Sequence, residues 1–162
     1  GIMKKITKTN ALRMLDKHHI DYEILEYEYD EEHLSGDHIL HQVDLAASQI
    51  YKTLVLQDHD RHYLVCCIPI LEEIDLKKLA KAAHVKNVAM IHQKDLLSVT
   101  GYIRGGCSPV GMKKQFPTYF QEDILKEEKV AFSAGKRGMQ VVLKPQDMID
   151  MVQGQLVSVI KE

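Results

Sequence analysis

Cysteine is scarce in this chain of 162 residues: Cys66, Cys67 and Cys107 are all it has, and two of them are adjacent. Neighbouring cysteines are poorly suited to an ordinary disulfide, and three make no disulfide framework. On alternating sides of a strand, Cys66 and Cys67 are expected to act as small apolar side chains. A reducing, cytoplasmic location is therefore expected. Long apolar runs are missing too; none approaches the roughly 20 residues of a membrane helix. The opening GIMKKITKTN lacks the apolar stretch of a signal peptide, and Gly1-Ile2 ahead of Met3 reads as an expression scar. Residues 3–162 are then expected to form a single domain, since the length suits one core and no repeat, low-complexity run or Pro/Ser-rich linker divides it. A P-loop, a GxSxG elbow, a GxGxxG turn, HExxH and CxxC are all absent. Nucleotide hydrolysis, serine-hydrolase chemistry and the standard zinc sites thus have no motif behind them. His33, His38 and His41 with Asp37 are the sole histidine cluster worth weighing, and surface histidines are the reading; no metal and no cofactor is expected.

A surplus of positive charge is also lacking. Twenty-one Lys and Arg against twenty-three Asp and Glu leave a formal charge of −2, so the chain does not grip nucleic acid over its whole surface. Bound RNA would require cations gathered on one side and a salt-sensitive affinity. Lys77, Lys78, Lys81, Lys86, Arg104, Lys113, Lys114, Lys136 and Arg137 permit such segregation, with acidic clusters at 26–32 and 122–128 lying elsewhere.

Periodicity predicts a mixed α/β chain. Thr9-Asn10 caps a first helix with Leu12, Leu15 and His19 on one face. Residues 22–27 alternate as a strand, and Gly36-Asp37 starts a helix with Ile39, Leu40 and Val43 as its stripe. Residues 50–57 and 62–70 are strongly β-forming around Asp58-His59-Asp60-Arg61 and read as a hairpin. Asp75 caps a helix carrying Leu76, Leu79, Ala80 and Ala83. A short strand at 87–91 and a helix at 94–99 follow. Strands are predicted near 118–120, 130–133, 139–143 and 156–160, with a helix begun by Pro145 between the last two. Strands mostly follow one another without regular helical crossovers, which excludes a doubly wound nucleotide fold and implies much antiparallel pairing.

What stands out is TGYIRGGCSPVGMKK, residues 100–114: four glycines, a proline and two lysines in fifteen residues. Gly105 and Gly106 permit positive φ or close backbone approach, and Ser108-Pro109 with Gly111 fixes turns. A polar, glycine-lined loop edged with cations suits a phosphate, or a carbonyl needing N–H donors. Two other segments accompany it: YKTLVLQ at 51–57, where Lys52 interrupts an apolar strand, and SAGKRG at 133–138.

Together Lys52-Thr53-Leu54-Val55, Thr100-Gly101-Tyr102, Gly105-Gly106-Cys107-Ser108-Pro109-Val110-Gly111 and Ser133-Ala134-Gly135-Lys136-Arg137-Gly138 resemble the YbaK family of aminoacyl-tRNA deacylases. That family includes free-standing Cys-tRNA(Pro) editing proteins and is similar to the editing domain of bacterial prolyl-tRNA synthetases. The resemblance runs from about Ile20 to Val159. It implies a curved, largely antiparallel mixed sheet forming a partly open barrel, with helices around it. It also implies a trans-editing deacylase that clears a mischarged amino acid, cysteine foremost, from tRNA(Pro). Prolyl-tRNA synthetase is a further candidate partner; neither a membrane nor DNA is expected.

The resemblance makes Lys52 the catalytic cation, able to hydrogen-bond an ester carbonyl as charge builds on oxygen. It places Tyr27, Gly105 and Ser133 at the substrate; Thr53, Gly106 and Ser108 are expected there with them, the glycine loop as a source of N–H donors, and Lys113, Lys114, Lys136 and Arg137 form the expected tRNA contact. For such relatives it implies that the substrate's own thiol attacks its ester, releasing a thiolactone. Cys107 has no dedicated histidine beside it and is not expected to be a nucleophile. Two departures stand out: Leu34-Ser35 precede Gly36-Asp37 where the family commonly has an aromatic, and Gln140 stands where relatives often have an acidic residue. A non-catalytic module binding aminoacyl-tRNA or the synthetase, and a deacylase for alanine or another small amino acid, remain the alternatives.

Overall fold

The structure, a computed structural model, describes residues 8–32 and 37–162, with the side chain of Asp37 left aside. Gly1-Ile2, His33 and the Leu34-Ser35-Gly36 departure lie outside the described residues.

The first helix, α1 (Asn10–Lys17), begins where the capping signal predicts. Thr9 Oγ1 accepts from Leu12 N at 3.2 Å, and Ala11, Leu12 and Leu15 are buried. His19 does not share that face; it follows the cap at φ 57° and is exposed. A short strand β1 (Glu23–Glu26) and a single turn α2 (Asp37–Leu40) follow, and then the hairpin of β2 (Tyr51–Asp58) and β3 (Tyr63–Pro69). Its turn is held by Asp58, whose Oδ1 accepts from the N–H of Asp60 and of His62. Next come α3 (Leu76–Ala82), capped by Asp75, then β4 (Val88–Met90) and α4 (Gln93–Thr100), which ends on Gly101 at φ 88°. The rest is β5 (Thr118–Gln121), β6 (Val130–Ser133), β7 (Met139–Leu143), α5 (Pro145–Met151) with Pro145 in its first turn, and β8 (Gln155–Val157).

The expected mixed α/β architecture is present, with its strands in two sheets that do not close into a barrel. The smaller has the order β1-β7-β6 and is antiparallel; the larger has the order β4-β2-β3-β5-β8. Within the larger sheet β2 pairs antiparallel with β3 and β4, whereas β3-β5 and β5-β8 are parallel. A single parallel bridge, Ile50 to Ala131, joins the sheets. Both faces of the larger sheet are covered. Leu12, Leu15, Val65, Cys67, Phe120, Phe132 and Val141 pack on one side, and Leu56, Cys66, Ile68, Leu79, Tyr119 and Val159 on the other. Double burial explains why β3 reads as an unbroken apolar run, YLVCCI, instead of an alternation. Cys66 and Cys67 point into different cores, and burial pushes the Cys66 thiol up to about 12.

Candidate active site

A cavity of about 580 Å³ opens where the start of β2, the end of β6, the glycine loop and the 27–29 segment converge. The sequence supplies each wall for a local reason. β4 pairs with β2 only over Leu56–Asp58, so among the described residues no strand is paired with Tyr51–Leu54 on that side beyond the Ile50–Ala131 bridge. The carbonyl of Val55 turns to this edge and accepts from Ile91 N at 3.2 Å. By the two-residue repeat of an antiparallel ladder, the N–H and C=O of Thr53 turn the same way, toward the open edge.

Lys52 and Thr53 both line the cavity, from opposite faces of β2. Thr53 Oγ1 lies 3.7 Å from Cys67 Sγ, on the side of the inter-sheet core. The Lys52 ammonium makes no hydrogen bond or ion pair within 4 Å among the described residues. Burial lowers its pKa from the ordinary lysine value, and the carboxylates of Glu73 and Glu72 on the turn after β3 partly offset that. A half-buried ammonium beside an open strand edge is a hydrogen-bond donor available to a ligand.

The glycine loop is built to lie close to its neighbours. Tyr102 Oη donates to Val110 O at 2.6 Å across the loop. A Cβ on Gly111 (φ 80°) would sit 2.6 Å from Tyr102 Oη and 2.8 Å from Ala11 N, so only glycine lets α1 start there. Gly105 lines the cavity, as do Arg104 and Cys107. Gly106 does not; it is buried against the 133–138 loop, and its N–H already donates to Ile103 O at 2.9 Å. Ser108 is fully buried, and its Oγ has no hydrogen-bond partner among the described residues. Burial pushes the Cys107 thiol up to about 12.

Ser133 lines the far wall and faces Gln140 across the β6–β7 ladder. Its Oγ accepts from Gly135 N at 3.2 Å, the turn role a strand-end serine often has. Gln140 also lines the cavity, is 4% exposed, and its Oε1 has no hydrogen-bond partner among the described residues. Arg137 also lines the cavity, and its Nε donates to Arg104 O at 2.8 Å. Thr9 Oγ1 donates to Ala134 O and so ties this loop to α1.

Of the residues singled out from sequence, Tyr27, Lys52, Thr53, Gly105, Ser133 and Arg137 are thus brought to one cavity. Gly106 and Ser108 are buried and do not line it. Lys113, Lys114 and Lys136 are exposed and lie outside the lining. Sequence reasoning left out Tyr29, Tyr51, Glu72 and Glu73, which also line it. Tyr29 stands two residues from Tyr27, a spacing that could have revealed it; the two glutamates carry no local signal. Among the described residues no group of three or more His, Cys, Asp or Glu side chains is arranged to hold a metal. Among the same residues no helix is long and apolar enough to cross a membrane.

Compared with known proteins, residues 37–151 match the family model described as an aminoacyl-tRNA editing domain. Over 152 residues, covering 94% of this chain and 93% of the relative, the sequence is 45% identical to EbsC of Enterococcus faecalis, provisionally named a Cys-tRNA(Pro)/Cys-tRNA(Cys) deacylase. Among solved structures, one described as a candidate trans-editing enzyme for prolyl tRNA synthetase superposes with a TM-score of 0.82 at 18% identity, covering 97% of this chain and all of the other. The hypothetical protein APE2540 gives the same TM-score, 0.82, at 17% identity over 94% of this chain and all of that one. At such low identity these two likenesses speak to the fold.

Proposed function

The chain belongs to the aminoacyl-tRNA editing domain family, and from that premise we propose that it is a trans-editing deacylase acting on cysteine mischarged onto tRNA(Pro). The observation that carries this reading is the half-buried, unpaired Lys52 ammonium in a cavity shared with Gly105 and the open edge of β2. A 45% identical relative is named for the same class of ester.

In the proposed mechanism Lys52 donates to the ester carbonyl and is worth most as negative charge develops on that oxygen. The substrate thiolate attacks the carbonyl carbon, forming a C–S bond. Collapse of the tetrahedral adduct breaks the bond to the ribose oxygen, which takes up a proton, and free tRNA leaves alongside a cyclic thiolactone. The protein supplies orientation and polarisation, and both reacting groups are already in one molecule. A protein nucleophile has little support, because Cys107, the thiol in the cavity, holds its proton at neutral pH. The unpartnered Gln140 Oε1 is an acceptor left over for the substrate ammonium. Lys113, Lys114, Lys136 and Arg137 are proposed to meet tRNA phosphates around the mouth. Prolyl-tRNA synthetase is proposed as a further partner.

The test is a deacylation panel with cysteine, serine, alanine and proline on tRNA(Pro), and cysteine on tRNA(Cys), with products identified. Cysteine should be released far faster than serine, although the side chains are nearly the same size, because a thiolate is the better nucleophile at neutral pH. The first product should be the thiolactone. Equal rates for cysteine and serine, or solvent oxygen in the carboxyl of the first product, would mean attack by water. Binding with no turnover of any charged tRNA would make the chain a non-catalytic module.

A further inference from the structure

A 580 Å³ cavity is within the range that encloses a drug-sized ligand, far more than a cysteinyl group requires. Its mouth differs in chemistry from its interior. Lys52, Gln140, Tyr29, Arg104 and Arg137 all line the cavity, but Gln140 is buried and Lys52 half-buried, whereas Tyr29 and Arg104 are exposed and, with the partly exposed Arg137, make its solvent-facing rim. Resting on the reading of aminoacyl-tRNA as substrate, we propose that this rim is a nucleotide subsite: the Tyr29 ring stacks on the terminal base, and Arg104 and Arg137 take the phosphate on its 5′ side.

Tyr29 is presented as a platform by its backbone. Tyr27 N donates to Gly138 O at 2.9 Å. The intervening Glu28 is held on the other side by Gln42, whose Oε1 accepts from Glu28 N at 2.7 Å and whose Nε2 donates to Glu28 O at 2.8 Å. In an extended segment pinned this way, the side chains of Tyr27 and Tyr29 turn to the same side. The Tyr29 ring lies against Gly138, where an added Cβ would come within 3.1 Å of its Cδ1. One face is thereby supported, yet the residue remains 49% exposed, large for a tyrosine beside a cavity. A flat aromatic surface suits any nucleobase.

The arginines supply the complementary charge. Arg137 Nε is fixed to the Arg104 carbonyl, which sets the two guanidinium-bearing residues side by side. Arg137 has Glu31 as a carboxylate partner at a loose 3.8 Å, and that side chain is 81% exposed. Arg104 contacts Gln93 Oε1 at 3.5 Å. Neither contact is strong enough to withhold its guanidinium from a bidentate phosphate.

The experiment measures binding of a 5′-phosphorylated CCA trinucleotide, which carries no ester, beside the KM and kcat for Cys-tRNA(Pro). Tyr29→Ala should weaken trinucleotide binding and raise KM roughly tenfold, with a much smaller change in kcat, whereas Tyr29→Phe should keep both near wild type. A trinucleotide with an abasic 3′ ribose should bind wild type as weakly as CCA binds Tyr29→Ala. Arg104→Gln should weaken binding and flatten its salt dependence by about one phosphate contact. Unchanged affinity and KM in a folded Tyr29→Ala variant would overturn the subsite while leaving the deacylase reading intact. Loss of trinucleotide binding in that variant, with no deacylation by wild type, would uphold the subsite and sink the deacylase reading.

Discussion

The role proposed for Lys52 joins two requirements that usually conflict: the side chain must be desolvated enough to matter, yet still carry its proton. Burial draws its pKa down from the ordinary lysine value, while Glu73 and, more weakly, Glu72 push it up. The sign of the pH dependence follows. Carbonyl polarisation needs the ammonium, so kcat for Cys-tRNA should fall as pH rises through the Lys52 pKa, below the range of an exposed lysine. Glu73→Gln removes the larger opposing influence, and the alkaline fall should move to still lower pH. Lys52→Ala should lose about 10²–10³ in kcat, as loss of one oxyanion donor does elsewhere, and should lack this alkaline limb. Lys52→Arg should also be impaired, because a planar fork does not replace a compact ammonium. Background-corrected kcat measured across pH for the four proteins checks all of this; a wild-type profile with no alkaline fall would remove the ammonium from the mechanism.

Among the elements, the glycine loop and the 133–138 loop behave as one interlocked unit. Gly106 is where they touch: a Cβ there would lie 3.0 Å from Lys136 Cα and 3.1 Å from Arg137 N, both backbone atoms. Backbone on both sides cannot step aside as a flexible side chain would. Gly106→Ala should therefore destabilise the fold by about 1–3 kcal/mol, the usual range for overpacking. Because Arg137 moves with its loop, KM for charged tRNA should rise as well. Urea unfolding and steady-state kinetics on the same sample test the pair. Wild-type values of both would show that the two loops are not in close contact.

On the scale of the whole molecule, a formal charge of −2 means that the proposed tRNA substrate would have to be met by a local concentration of cations. Replacing Lys113, Lys114, Lys136 and Arg137 with glutamine should weaken tRNA binding and flatten the plot of log affinity against log salt. Each lost phosphate contact should remove roughly 0.7–0.9 from the slope. Titrations at several salt concentrations measure it, and an unchanged slope would place the tRNA on another face. Folding also has a global division of labour. One side of the larger sheet shares the Phe120–Phe132 core with the smaller sheet, while the other is closed by α3 and the C-terminal segment.

Much of this was readable along the chain because it is decided by neighbours in sequence. The Thr9 and Asp75 caps, the β2–β3 hairpin, the strands at 130–133 and 139–143, and Pro145 at a helix start all rest on local hydrogen bonding, backbone freedom or alternation. The glycine loop and Lys52 stood out for the same reason, since each breaks the pattern around it. The division of the strands into two sheets was not readable. Pairing Val65 with Thr118 and Phe120 with Leu156 joins segments far apart in the chain, and no local preference selects a parallel partner. Nor could the sequence show that β4 stops short at Leu56 and leaves the start of β2 open, that Glu72 and Glu73 face Lys52, or that Tyr29 comes to rest on Gly138. Those facts depend on how whole elements pack, and packing, not local propensity, turns scattered polar residues into a site.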